Sequence, residues 1–173
     1  ASLRQQHPDV SLQGTTATVI GAGGAAKAII GALIDEGVTR IGIINRTRER
    51  ILGLQEQFGS QIIEINETAA EQALATSDLL VNTTSLGMEG GTALALDMRY
   101  LKPGALVADI IYAPLETALL TKAKERGHPV LGGLGMLLHQ AVRGFELWFG
   151  VKPEVTKELY DLVAADVQKA KRT

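Results

Sequence analysis

Cysteine is absent from the 173 residues, which excludes disulfides and thiolate chemistry and fits a cytoplasmic protein without requiring one. Aromatic side chains make up only 4%, too few for a platform on which bases could stack. The formal net charge is -2, so the chain has no general attraction for nucleic acid or an anionic membrane. No apolar run reaches the roughly 18 residues of a membrane span. The polar opening, Ala1-Ser2-Leu3-Arg4-Gln5-Gln6-His7, is not a signal-peptide pattern, and its first residue is compatible with a start inside a longer gene product. Neither nucleic acid nor membrane is therefore expected as a partner. What remains is a chain with 46% hydrophobic residues, enough to bury a real core as one soluble domain.

The stretch that organises the chain is Thr15 to Ala28, TTATVIGAGGAAKA. Its apolar run predicts a buried first strand at Thr16 to Ile20, a tight turn, and a helix from Gly24 to Ile34. Each small residue has a physical use in a dinucleotide site. Gly21 lets the backbone leave the strand sharply, Gly23 has no Cβ to block a pyrophosphate, and Ala26 lets helix and strand pack closely. The helix start then offers free N–H groups and a positive dipole end to phosphates. A tight turn with no ligand is the alternative, since glycines mark ordinary turns as well.

Strand and helix patterns then alternate. Strands are predicted at Thr39 to Ile44, Gln61 to Ile65, Asp78 to Asn82, Ala105 to Ile111 and Val130 to Gly132. Helices are predicted at Thr47 to Phe58, from an Asn66 cap through Leu74, from Pro114 to Arg126, at Leu134 to Phe149, and from Pro153 to Lys169. This order reads as a doubly wound parallel six-stranded sheet with extra C-terminal helices. Residues 1 to 14 form a lead-in with a possible helix at Ser2 to Gln6. The connection Thr83 to Ala95 is small, polar and glycine-rich, the kind of loop that holds ligands at strand C-termini. Val155, Leu159, Leu162 and Val163 are read as an apolar stripe on the last helix.

The end of the second strand bears on the choice of nucleotide. A site for NAD usually places a carboxylate about 20 positions beyond the glycines to hold the ribose hydroxyl. Here that place is Asn45-Arg46-Thr47, with no carboxylate. Arg46 can fork onto a 2′-phosphate, and Arg50, one turn on, adds a second charge, so the expected cofactor is NADP. The alternative is that Arg46, Arg48 and Arg50 are a solvated helix face.

Five blocks, GAGGAAKA (21–28), NRT (45–47), NTTSLGM (82–88), DIIYAPLET (109–117) and GGLGMLLHQAVRGFELWFG (132–150), resemble the shikimate and quinate dehydrogenases, in that family's order and across nearly the whole chain. The resemblance implies a Rossmann-type NADP-binding domain and a part in reducing 3-dehydroshikimate to shikimate, a step of aromatic amino-acid biosynthesis. Carried over by position, it implies that Gly21, Ala22, Gly23, Gly24 and Ala25 hold the pyrophosphate, and that Asn45, Arg46, Thr47 and Arg50 hold the adenosine phosphate. Thr83, Thr84, Ser85, Ile110 and the backbone of Gly133 would line the nicotinamide side, and Tyr112 and Gln140 would contact the hydroxylated ring. Read from the residues alone, Tyr112 could equally be a strand-end aromatic and Gln140 a polar helix residue. His7, His128 and His139 receive no role, and no metal site is expected.

The chain also departs from the family. The family's catalytic lysine and its paired aspartate lie in a substrate lobe before the nucleotide domain, and nothing before Thr15 supplies them; neither Lys27 nor Asp109 fits the pattern. No catalytic residue is therefore assigned, and the chain is expected to be the cofactor half of a two-lobed enzyme, nearly inert alone. The expected organisation is a lead-in at 1–14, the nucleotide domain at 15–133, and helices at 134–173 that in the family pack on the other lobe. Deprived of that partner, the last helix is expected to pair with a second copy or fold back on its own sheet. Two other readings compete: another NADP-linked reductase such as glutamyl-tRNA reductase, and a non-catalytic nucleotide-sensing module. The DIIYAPLET and GMLLHQ blocks weigh against the first, and the pair Tyr112 and Gln140 weighs against the second.

Overall fold

The first strand, β1, occupies Thr16–Ile20, and the five others lie parallel to it: β2 Arg40–Ile44, β3 Ile62–Glu64, β4 Leu79–Asn82, β5 Leu106–Asp109 and β6 Val130–Leu131. The computed structural model describes residues 1–92, 94 and 96–170, with the Ala170 side chain excluded. Spatial order across the sheet is β3-β2-β1-β4-β5-β6, so the winding reverses between β1 and β4. The crevice at the carboxyl ends of those two central strands is where this topology leaves room for a ligand.

Both sheet faces are covered, and for that reason the central strands carry apolar residues at nearly every position. One cluster joins Val19, Ile41, Ile43, Ile51 and Leu54 with Ala26 and Ile30 of helix α2 (Gly24–Asp35). The other joins Leu80, Val107 and Leu74 with Leu119, Leu120 and Ala123 of helix α5 (Ala118–Glu125). Ala26 is fully buried, as expected for the small residue that brings helix and strand together.

The strand order and strand cores match the sequence reading, with ends shifted by a residue or two. Helices α3 (Arg48–Phe58) and α4 (Ala70–Thr76) fall where periodicity puts them. Asn66 does act as a cap, accepting from the Ala69 N–H at 3.0 Å, although the first turn it starts is 3₁₀. Helix α1 (Ser2–Gln6) confirms the helical lead-in. That lead-in is not detached. Leu3 packs on the core, Leu12 is buried, and Arg4 pairs with Glu36 at 2.8 Å.

Two expectations fail. Pro114 does not open a helix: it follows a cis peptide in a bend, and α5 begins four residues later. A helix starting at Pro114 would need a cap at Ala113, which has no side-chain oxygen, whereas Thr117 supplies one to the Leu120 N–H. Val155 is not part of the last helix, α7 (Lys157–Ala170), but lies ahead of it, its carbonyl accepting from Gln5. Ala93 and Ala95, in the expected loop Thr83 to Ala95, lie outside the described residues.

Helix α6 (Gly133–Phe149) carries α7 along its side and crosses α1 at Gly135, where a Cβ would lie 2.3 Å from the Ser2 hydroxyl. Its far end is apolar and uncovered. The Phe145 and Phe149 rings meet tilted, with centroids 4.6 Å apart, Trp148 is 81% exposed next to exposed Leu147, and Val151 and Leu162 are exposed as well. Among the described residues, no helix is long and apolar enough to cross a membrane.

Candidate functional site

At the reversal between β1 and β4 two loops meet. Gly21 leaves β1 with φ of +104°, and a Cβ there would stand 2.7 Å from Thr83 Oγ1 and 2.8 Å from Thr84 Cγ2. Only glycine fits both the backbone and the space. Thr83 closes the contact from the β4 side, its N–H and hydroxyl both donating to the Ile20 carbonyl at 2.9 and 2.7 Å.

Beyond this pinch the surface opens. A Cβ on Gly23 or Gly24 would meet nothing within 4 Å, and α2, with Gly23 as N-cap, has no side-chain cap for its first N–H groups. Gly24 and Ala25 are exposed and Ala22 is buried, so the turn shows backbone outward and packs its one methyl inward. A helix start left free of side-chain partners can accept an anion.

At the end of β2, beside this turn, the Gly21 N–H donates to the Ile44 carbonyl at 2.9 Å, and Asn45 donates to the Thr47 carbonyl at 2.7 Å. The three arginines that follow are not equivalent. Arg48 is tied to Glu64 at 3.0 Å, whereas Arg46 and Arg50 are exposed and have no ion-pair partner among the described residues. One arginine is thus engaged in a surface ion pair and two have none. The sequence reading likewise singles out Arg46 and Arg50 and not Arg48.

The opposite side of the crevice is built by the ends of β4 and β5. Thr84 is half-buried and Ser85 exposed on the first loop, and Ile110 is half-buried on the second. Gly133 fixes α6 directly onto that second loop. A Cβ there would lie 2.0 Å from the Ile110 carbonyl oxygen, and the Gly133 N–H donates to the Ile111 carbonyl at 3.2 Å. An apolar cavity of about 370 Å³ runs under α1 between α2 and α6, with Asp109, Ile110 and Gln140 on its wall. Tyr112, 42% exposed, is not among its lining residues. The structure therefore brings Gly21 to Thr83 and Thr84, and Ile110 to Gly133, but does not join Tyr112 to Gln140 through that cavity.

Beneath these loops is a network that the sequence reading did not assign, although Asn82 and Asp109 open two of the family-like blocks. Asp109 is 2% exposed and accepts from Asn82 Nδ2 at 3.0 Å, the Ile111 N–H at 3.1 Å and the Thr117 hydroxyl at 2.8 Å. Asn82, fully buried, accepts from the Thr84 N–H and hydroxyl and donates to the Leu86 carbonyl. Burial pushes the Asp109 carboxyl above its ordinary value, while its three donors pull the other way. The sequence signal was polar residues ending two otherwise apolar strands. The histidines are structural: His7 and His128 bond to the Val130 and Ala105 carbonyls, and His139 to Gln5.

A six-stranded parallel sheet in this order, with a glycine turn and an uncapped helix at its reversal point, defines a Rossmann-type α/β domain. A family model described as "Shikimate / quinate 5-dehydrogenase" matches residues 2–88, and one described as "Shikimate 5'-dehydrogenase C-terminal domain" matches residues 133–157. The chain belongs to the shikimate/quinate dehydrogenase family. It is 53% identical over 151 residues to the shikimate dehydrogenase (NADP(+)) of Rhodopseudomonas palustris strain BisB5, covering 87% of this chain and 53% of that protein. The chain spans about half the length of the curated relatives it matches. Among solved structures it resembles the quinate dehydrogenase of Corynebacterium glutamicum in complex with NAD, with a TM-score of 0.84, 27% identity, and coverage of 95% and 59% of the two chains. It also resembles the Thermus thermophilus shikimate 5-dehydrogenase in complex with NADP(H) and shikimate, with a TM-score of 0.77, 32% identity, and coverage of 96% and 59%.

Proposed function

We propose that this chain binds NADP(H) across the β1/β4 reversal and serves the NADP-dependent interconversion of 3-dehydroshikimate and shikimate as its nucleotide-binding unit, residues 15–133. The carrying observation is the pairing of Arg48 with Glu64 while Arg46 and Arg50 stay free beside the open face of Gly23 and Gly24. These residues fit a dinucleotide with a phosphorylated ribose. The pyrophosphate would lie over Gly21 to Ala25, and the adenosine phosphate would lie against Asn45, Arg46, Thr47 and Arg50. Thr83, Thr84, Ser85, Ile110 and the Gly133 backbone would flank the nicotinamide, with Tyr112 and Gln140 on the substrate side. The cofactor, when bound, supplies the hydride. The NADP(+) in the curated relatives' names supports this choice over NAD.

On this reading the chain alone turns over slowly or not at all. Lys27 stands on the exposed side of α2, not among the residues placed on the substrate side, and Asp109 is buried with three donors already on it, so neither is assigned as the proton donor. Losing general acid catalysis by itself costs about 10²–10⁴-fold. The apolar stripe of α7, Leu159, Leu162 and Val163, together with the uncovered end of α6, is proposed to pair with a second copy, which light scattering reads directly.

The deciding experiment titrates the chain calorimetrically with NADPH and NADH, before and after Arg46→Ala. The expected result is NADPH binding tighter than NADH, with the substitution weakening NADPH by about 10- to 100-fold and leaving NADH unchanged. No heat with either nucleotide overturns the proposal and favours a non-catalytic role for the fold.

A further inference from the structure

Asp109 has no place in the nucleotide contacts proposed above, yet it receives hydrogen bonds from three separate segments. Asn82 reaches it from the end of β4, the Ile111 N–H from the loop after β5, and Thr117 from the cap of α5. Each of those partners holds something else. Asn82 sets the turn through Thr84 and Leu86, and the Thr84 hydroxyl in turn accepts from the Leu86 N–H at 3.1 Å. Ile111 receives the first N–H of α6 on its carbonyl. One carboxylate therefore sets the mutual position of two loops and, through Ile111, the start of α6.

We infer that Asp109 is a positioning residue for the nicotinamide end of the crevice, acting through Asn82 and the Ile111 N–H on the loops that carry Thr84, Ser85 and Ile110. The inference rests on the nucleotide reading and deepens it. Among the described residues no cation pairs with this carboxylate, so its neutralising contacts are the three donors themselves, and an apolar side chain would leave all three without their buried acceptor. The β2 end, where the adenosine phosphate would bind, has no hydrogen bond to this network among the described residues. That separation makes the inference testable.

The test compares two probes. NADPH spans both ends of the crevice, whereas adenosine 2′,5′-bisphosphate carries only the end that meets Arg46. In Asp109→Leu, NADPH affinity should fall roughly tenfold or more while bisphosphate affinity stays within about twofold of the unaltered chain. Asp109→Asn keeps one acceptor for Asn82 and Ile111, and should restore part of the NADPH affinity. If Asp109→Leu does not fold, Thr117→Val removes one donor only and should produce the same selective loss on a smaller scale. Equal losses for both probes, or no loss for either, would overturn the inference by making Asp109 merely structural or irrelevant. Failure of the unaltered chain to bind either probe would instead overturn the nucleotide reading beneath it.

Discussion

The two ends of the sheet each hold a carboxylate that joins β-strands, and they do so by opposite means. At the amino ends, Asp78 accepts from the Thr16 N–H at 2.9 Å and pairs with Lys102, its side chain 31% exposed. Lys102 holds its carboxyl below the ordinary value. At the carboxyl ends, Asp109 is buried with neutral donors alone, and burial pushes its carboxyl up. A charge beside solvent with a cation partner fastens the strand ends cheaply. A buried charge without one costs more, but it can hold several polar loops in one arrangement. In this molecule the first kind lies at the amino ends of the central strands and the second at their carboxyl ends, where the glycine turn is.

The largest effect should come from breaking the carboxyl end directly. Gly133→Ala forces a methyl into the Ile110 carbonyl, a backbone clash that should cost about 3 kcal/mol in denaturant unfolding. Gly23→Ala, at the same end but facing open space, should leave stability within about 0.5 kcal/mol while weakening NADPH. Equal destabilisation by both would mean that the crevice is not the open feature described.

At the amino end, Asp78→Asn should cost about 1 kcal/mol, lowering Tm by about 3 °C, with nucleotide affinity untouched. A change in NADPH binding here would erase the contrast between the two ends. The same pair of residues should oppose each other in acid. Asp78, lowered when folded, stabilises fully above pH about 4, and that contribution is lost as pH falls through its folded value. Asp109, raised when folded, favours the folded state most at low pH, and that advantage is lost as pH rises from about 4 through its raised value. Tm measured from pH 2 to 7 should therefore show a shallower acid loss in Asp78→Asn and a steeper one in Asp109→Asn. The smallest effect on stability, within about 0.5 kcal/mol, should follow Trp148→Lys, which nonetheless should reduce self-association in sedimentation.

Much of this architecture was legible because it is written in local period. Near-continuous apolar runs such as TATVI and RIGII give buried parallel strands, and the turn GAGG gives its own geometry at Gly21. The crevice was legible for the same reason: the glycines follow β1 directly. Pro114 misled because its fixed φ suits a helix start, while the available cap sat at Thr117. Val155 misled because helical spacing continues arithmetically past the point where the helix begins. The contact within the Asp109 network was not legible, although Asn82 and Asp109 each open a family-like block, because the two are 27 residues apart and no short spacing marks the pair.

By itself, then, the amino-acid order determined the elements, their alternation, the glycine turn and the lack of a carboxylate after β2. These depend on side-chain size and polarity within windows of a few residues. Only the tertiary structure decided that Arg48 is spent on Glu64, that α6 rests on the Ile110 carbonyl, and that Asn82 meets Asp109. The last of these comes from strand register, which sets Asn82 beside Asp109 and Ile20 beside both Ile44 and Asn82. Register is settled by burying the whole sheet at once, so no single stretch of the chain contains it.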